Sequence, residues 1–237
     1  MAGWIEAFPE ARAQLDRLTE GLQKILQDRL QAVLLHGSLA MAGFDPQRSD
    51  LDVLVIVSSR PLDTQYAQLG RLLPEVSGAP HPLELSLLLE DNLHPWRHPC
   101  PHLLHYGESH RQDFAQTRVT PHQDADPDLA MHLTVARHRG VDLLGSWPPS
   151  NLPEVPAADF LAAIRTDFLW AANRPDELRD YRLANACRTL AYLEQGLVLS
   201  KSEGMDWCRQ RDIKPADALV SVAARLEIDI PGAGPST

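Results

Sequence analysis

Residues 9–31, PEARAQLDRLTEGLQKILQDRLQ, place apolar side chains three and four positions apart, which predicts an amphipathic helix. The period then changes. AVLLHGS (32–38) reads as a short apolar strand that stops at Gly37. LDVLVIV (51–57) is rich enough in Val, Leu and Ile to be a strand covered on both faces. A helix is expected over 63–74 and a third strand over 82–90, PLELSLLLE. Residues 91–127 carry Pro95, Pro99, Pro101, Pro121 and Pro127 and read as loop. Asp128 stands as N-cap to LAMHLTVARHR, a helix stopped by Gly140. GSWPPSNLPEVP (145–156) has the composition of a linker, and every periodic segment after it is helical: 157–172, 178–195, 202–210 and 215–226. Strands first and helices after predict an α+β chain. Its sheet-bearing N-terminal domain covers 1–150 and its α-helical C-terminal domain 151–237.

Charge and cysteine usage narrow the classes of partner. With 32 acidic against 22 basic side chains the formal net charge is −10, so nucleic acid is not expected as a partner. The same balance favours cationic small molecules in an acidic cleft. No apolar run approaches the roughly 20 residues that span a bilayer, and no secretory signal is read. Three cysteines (Cys100, Cys187, Cys208), odd in number and far apart, do not form a disulfide framework. A cytoplasmic protein without a membrane partner is expected, and the sequence shows no obligate protein partner.

The chemistry concentrates in LLHGSLAMAGFDPQRSDLDVLVIV, residues 34–57. Two carboxylates entering an apolar strand are costly unless something positive meets them. Residues two apart on a strand point to one side, so Asp50 and Asp52 are expected on the face opposite Leu51, Val53 and Val55. Such a pair suits Mg²⁺, which takes carboxylates together with substrate phosphates. Gly37-Ser38 complements it, because a glycine lets backbone approach a phosphate and the serine donates to it. Glu84 lies on the face opposite Leu83, Leu85, Leu87 and Leu89, where a carboxylate beside the metal pair takes the proton of an attacking hydroxyl. The reaction these residues predict is in-line displacement at a nucleotide phosphate.

G-S followed by D-x-D resembles the nucleotidyltransferase superfamily that includes DNA polymerase beta. A closer resemblance is to the aminoglycoside 3''-adenylyltransferases, which modify streptomycin and spectinomycin. It is carried by LLHGSLAMAGFDPQRSDLDVLV, LELSLLLEDNLHPWRHP, HYGES, DPDLAMHLTVARHRGVDLLG and ANACRTLAYLEQGLVLSKSEGMDW, in family order over most of residues 30–210. The resemblance implies a polymerase-beta-like mixed sheet followed by a helical bundle, with ATP as co-substrate and two Mg²⁺ ions. It implies metal binding by Asp50 and Asp52, and Glu84 as catalytic base. Gly37, Ser38, Ser49, Asp128 and Lys201 fall to the nucleotide. Trp170 falls to the cationic antibiotic, together with Asp176 or its rival Asp180. Ser109 follows Gly-Glu where the family usually has a tryptophan. The same chemistry on another small molecule or a protein acceptor is the second reading.

One further cluster, His94, His98, Cys100, His102, His105 and His110, matches no zinc-ligand spacing and reads as a structural loop.

Overall fold

The computed structural model describes residues 5–116, 124–172, 174 and 178–229. The chain divides into two compact units, Met1–Val155 and Pro156–Thr237.

In the first unit, α1 (Pro9–Leu26) buries Leu15, Leu18, Leu22 and Leu26 as its spacing predicts. It ends five residues earlier than the apolar period, because Gln27 takes a positive φ of 53° and the chain passes through a 3₁₀ turn. β1 (Leu30–His36) leads into the one-turn α2 (Gly37–Ala40), then β2 (Leu51–Val57), α3 (Asp63–Val76) and β3 (Leu83–Leu89). The segment expected as loop contains short strands and a helix: β4 (Cys100–His102), β5 (Leu104–Tyr106), α4 (Arg111–Gln116) and β6 (Asp124–Asp126). Runs of three residues interrupted by proline are too short to show a period. α5 (Leu129–Arg139) and β7 (Val141–Asp142) complete the unit.

The mixed sheet has the order β5-β3-β2-β1-β7, with β2 and β3 parallel and the other pairs antiparallel. One face buries Val33, Leu35, Val53, Val55, Leu85 and Leu87 with the apolar stripes of α1 and α3. The other buries Leu34, Leu54, Ile56 and Leu88 against Leu129, Leu133 and Ala136 of α5. Alternation therefore sends His36, Asp52 and Glu84 to the α5 face. The start of β3 is pinned from below. The buried Gln14 amide donates to the Val76 and His81 carbonyls at 3.0 and 2.6 Å and accepts from the His81 N–H at 2.9 Å. Ser77 Oγ accepts from the Leu83 N–H at 2.9 Å and donates to Glu108. Arg111 grips the same turn through the Pro74 and Ser77 carbonyls, at 2.7 and 2.6 Å.

The second unit is helical: α6 (Ala157–Ala172), α7 (Arg179–Gln195), α8 (Lys201–Arg209) and α9 (Pro215–Arg225). Gly196 ends α7 in the left-handed conformation, and Ser200 opens α8 with a capping box completed by Glu203. Gly204 lets α8 lie directly on α7, since a Cβ there would stand 2.6 Å from the Arg188 nitrogen. Among the described residues no helix is long and apolar enough to cross a membrane.

Candidate active site

Strand register assembles the first part of the site. Asp52 faces His36 across the antiparallel β1–β2 pair and Glu84 across the parallel β2–β3 pair, so the three form one row at one end of the sheet. Asp50 lies just before β2, two residues back from Asp52. Its side chain is open to solvent, yet its carboxyl titrates above the ordinary range. Partial desolvation is the main cause, with the negative charges of Glu84 and then Glu108 adding to it. Glu84 is partly exposed, and His132 of α5 brings Nε2 to 3.9 Å from its Oε1. His36 is buried and held neutral, its pKa lowered well below the usual value by desolvation and next by His132. The two imidazoles meet edge to face at 5.2 Å.

Gly37 is where backbone enters this row. Its φ is +65°, and a Cβ at that position would lie 2.6 Å from Asp52 Cγ and closer still to Oδ2. The glycine is required twice, by conformation and by the carboxylate packed on it. Ser38 follows in the first turn of α2. Ser49 lies outside that turn, in the loop before β2. Its hydroxyl accepts from the Asp45 N–H at 3.1 Å and closes the loop that delivers Asp50. Asp128 holds the N-cap position of α5 but makes no side-chain cap bond, contrary to the capping expected of it; its backbone is already helical, at φ −71° and ψ −19°.

Oxygen donors converging beside a backbone cradle fit Mg²⁺ better than a softer metal. Asp50 and Asp52 are the carboxylates that would hold it. The raised Asp50 pKa points the same way, since a cation offsets both the desolvation that chiefly raises it and the repulsion that adds to it. The sign of that shift makes a prediction. A carboxyl with a folded pKa above its unfolded value destabilises the fold once ionised, and the penalty vanishes as pH falls below the unfolded pKa. At neutral pH, Mg²⁺ should therefore raise the thermal midpoint, whereas metal-free Asp50→Asn should melt no lower than wild type and lose the Mg²⁺ response. Calorimetry with Mg²⁺ and with a chelator checks this; an undiminished Mg²⁺ shift in Asp50→Asn would exclude Asp50 as a ligand.

The second unit gathers a separate group of residues. Trp170, near the end of α6, is half exposed rather than packed. Its ring meets Tyr181 of α7 edge-on at 6.3 Å, and the Arg174 guanidinium lies 4.7 Å from the indole centroid. Lys201 opens α8 with its ammonium 4.3 Å from the Tyr181 ring centroid. Tyr181 donates to Asp167 Oδ1 at 2.7 Å, and Asn185 donates to the other oxygen at 3.3 Å. Burial and then Asp167 push the phenol pKa up, so Tyr181 stays a neutral donor. Asp180 is exposed in the first turn of α7, a helical step of about 100° from Tyr181. Asp176 lies outside the described residues.

His36, His132 and Tyr181 escaped the sequence reading. His36 was within reach, as the last strand residue before Gly37. His132 and Tyr181 carry no local signal, because each is an ordinary helix residue until its neighbours are known.

Comparison with known proteins gives this arrangement its class. Residues 151–227 match the family model described as aminoglycoside adenylyltransferase, C-terminal domain. An aminoglycoside (3'') (9) adenylyltransferase of Escherichia coli is 30% identical over 212 residues, covering 85% of this chain and 79% of the relative. A spectinomycin 9-adenylyltransferase of Campylobacter jejuni is 28% identical over 166 residues, covering 68% of this chain and 62% of the relative. In fold, the chain is similar to a spectinomycin adenyltransferase of Enterococcus faecalis solved with ATP and spectinomycin. The TM-score is 0.71, with 22% identity and 94% coverage of each chain. The chain belongs to the aminoglycoside adenylyltransferase family.

Proposed function

We propose that this protein transfers AMP from ATP to a hydroxyl of streptomycin or spectinomycin and releases pyrophosphate. The observation that carries the reading is the Asp52–Glu84 register pair beside Gly37, with Asp50 electrostatically coupled to it. The acceptor oxygen attacks the α-phosphorus as the bond to pyrophosphate breaks, and the hydroxyl proton passes to the Glu84 carboxylate. Asp50 and Asp52 are the residues that would hold Mg²⁺, which would supply neutralisation of phosphate charge. The Gly37-Ser38 turn and Ser49 of the loop before β2 are assigned to the triphosphate, and Asp128 to the nucleotide. The family resemblance assigns Lys201 to the nucleotide as well. His36, buried and neutral, closes the row without adding charge beside Asp52.

Trp170 offers an exposed indole to a cationic ring, with Asp180 or Asp176 as the acidic partner. Trp170→Ala should raise KM for streptomycin roughly 3- to 30-fold, the range of a lost stacking contact, and change spectinomycin less. Equal losses on the two drugs would remove the role assigned to this residue. The reading as a whole is tested by pyrophosphate release from ATP with each drug, together with mass spectrometry for an added AMP. Absence of both products with both drugs would overturn it.

A further inference from the structure

Three members of the histidine cluster expected to be a plain loop, His102, His105 and His110, line an open cavity of about 360 Å³. His102 of β4 and His105 of β5 come from two different sheets, with ring centroids 6.2 Å apart, and His110 meets His105 edge-on at 5.5 Å. Phe114 and the strand Asp124–Asp126 close the lining. His105 Nδ1 bonds Ser86 Oγ at 3.0 Å, which leaves the other ring nitrogen, Nε2, on the far side of the imidazole. A Cβ on Gly107 would lie 3.9 Å from both His105 Nε2 and His110 Nδ1, so the two nitrogens border one small space beside that glycine. Among the described residues His110 Nδ1 is buried with no hydrogen-bond partner. Buried ring nitrogens are seldom left that way. Among the described residues no group of three His, Cys, Asp or Glu is placed to hold a metal.

The lining selects a ligand by its chemistry. Asp124 and Asp126 accept from the Ala125 and Asp128 N–H groups at 2.8 Å with one oxygen each and stand in the wall. His105 is held toward the neutral form by burial. Two carboxylates in the wall repel phosphate, and an apolar ligand would strand the ring nitrogens. A hydroxylated ring bearing an ammonium or guanidinium satisfies both, with hydroxyls on the imidazoles, the cation on the carboxylates and ring carbons against Phe114. The volume lies at the lower end for small-molecule sites and suits one ring rather than a whole antibiotic. Location fits as well, because Ser86 is two residues beyond Glu84 on the same strand face, a step of roughly 7 Å.

We propose that this cavity is an acceptor subsite that takes the amine-bearing ring next to the hydroxyl being adenylylated. The inference rests on the transfer reaction proposed above. Two measurements test it. In steady-state kinetics, His110→Ala and Asp124→Asn should each raise KM for the accepted drug about tenfold, the effect of one lost charge-assisted or buried hydrogen bond. Affinity for an ATP analogue should not change. In the wild-type protein, saturating drug should shift the His105 and His110 imidazole resonances in long-range ¹H–¹⁵N spectra, a readout independent of how the variants fold. Wild-type turnover with unchanged KM in both variants, or unmoved imidazole resonances at saturating drug, would overturn the subsite alone. Absence of AMP transfer to either drug by wild type would overturn the transfer reading and the subsite with it.

Discussion

Glu84→Gln should lower kcat for AMP transfer by about 10²- to 10⁴-fold, the range of a lost general base. The substitution keeps shape and length but replaces a proton acceptor by an amide. The site should otherwise survive. Glu84 stands at the edge of the buried sheet and is partly exposed, and the turn before β3 is fixed by Gln14, Ser77 and Arg111 rather than by Glu84 itself. KM for ATP should therefore change little while kcat collapses. The acid limb of the wild-type pH–rate profile should vanish with it, because that limb reports protonation of the base. Stopped-flow pyrophosphate release across pH 5–9 makes the comparison. A variant within about threefold of wild type at every pH would place the base elsewhere.

The second large effect is expected at Gly37. Gly37→Ala puts a non-glycine residue at φ +65°, which costs on the order of 1–2 kcal/mol. It also drives a methyl group into the Asp52 carboxylate, 2.6 Å from Cγ. The backbone of β1 and β2 is buried on both sides, so the carboxylate must rotate out of the row it shares with His36 and Glu84. Turnover should fall to background, and the melting temperature should drop by several degrees. Gly145→Ala separates conformational cost from collision: Gly145 has φ +75° with nothing within 4 Å of the added Cβ. That variant should lose stability and keep its kcat. Full activity in Gly37→Ala would mean that the packing of Gly37 on Asp52 has no part in the reaction.

Much of the architecture was legible because its signals are local. A period near 3.6 located α1, α3 and the helices of the second unit. Alternation assigned Asp52 and Glu84 to the face opposite Val53 and Leu85, a consequence of strand pleat alone. The misreadings have equally local causes. Apolar period continues past Leu26, but the positive φ of Gln27 ends the helix there. Between 91 and 127, three-residue strands interrupted by proline show no alternation, so pairs such as His102 with Asp124 stayed invisible.

By itself the sequence determined the order of the long helices and of β1, β2 and β3, the family resemblance, and the kinds of group available for nucleotide chemistry. It also paired glycine with serine ahead of two aspartates. Only the tertiary structure decided which groups meet. Register across β1, β2 and β3 aligns His36, Asp52 and Glu84. Packing of α5 over the sheet brings His132 to Glu84, and packing within the second unit sets Tyr181 between Trp170 and Lys201. The reason is physical. Pleat and helical period are properties of adjacent residues, whereas register and packing are settled by burial of surfaces distant along the chain.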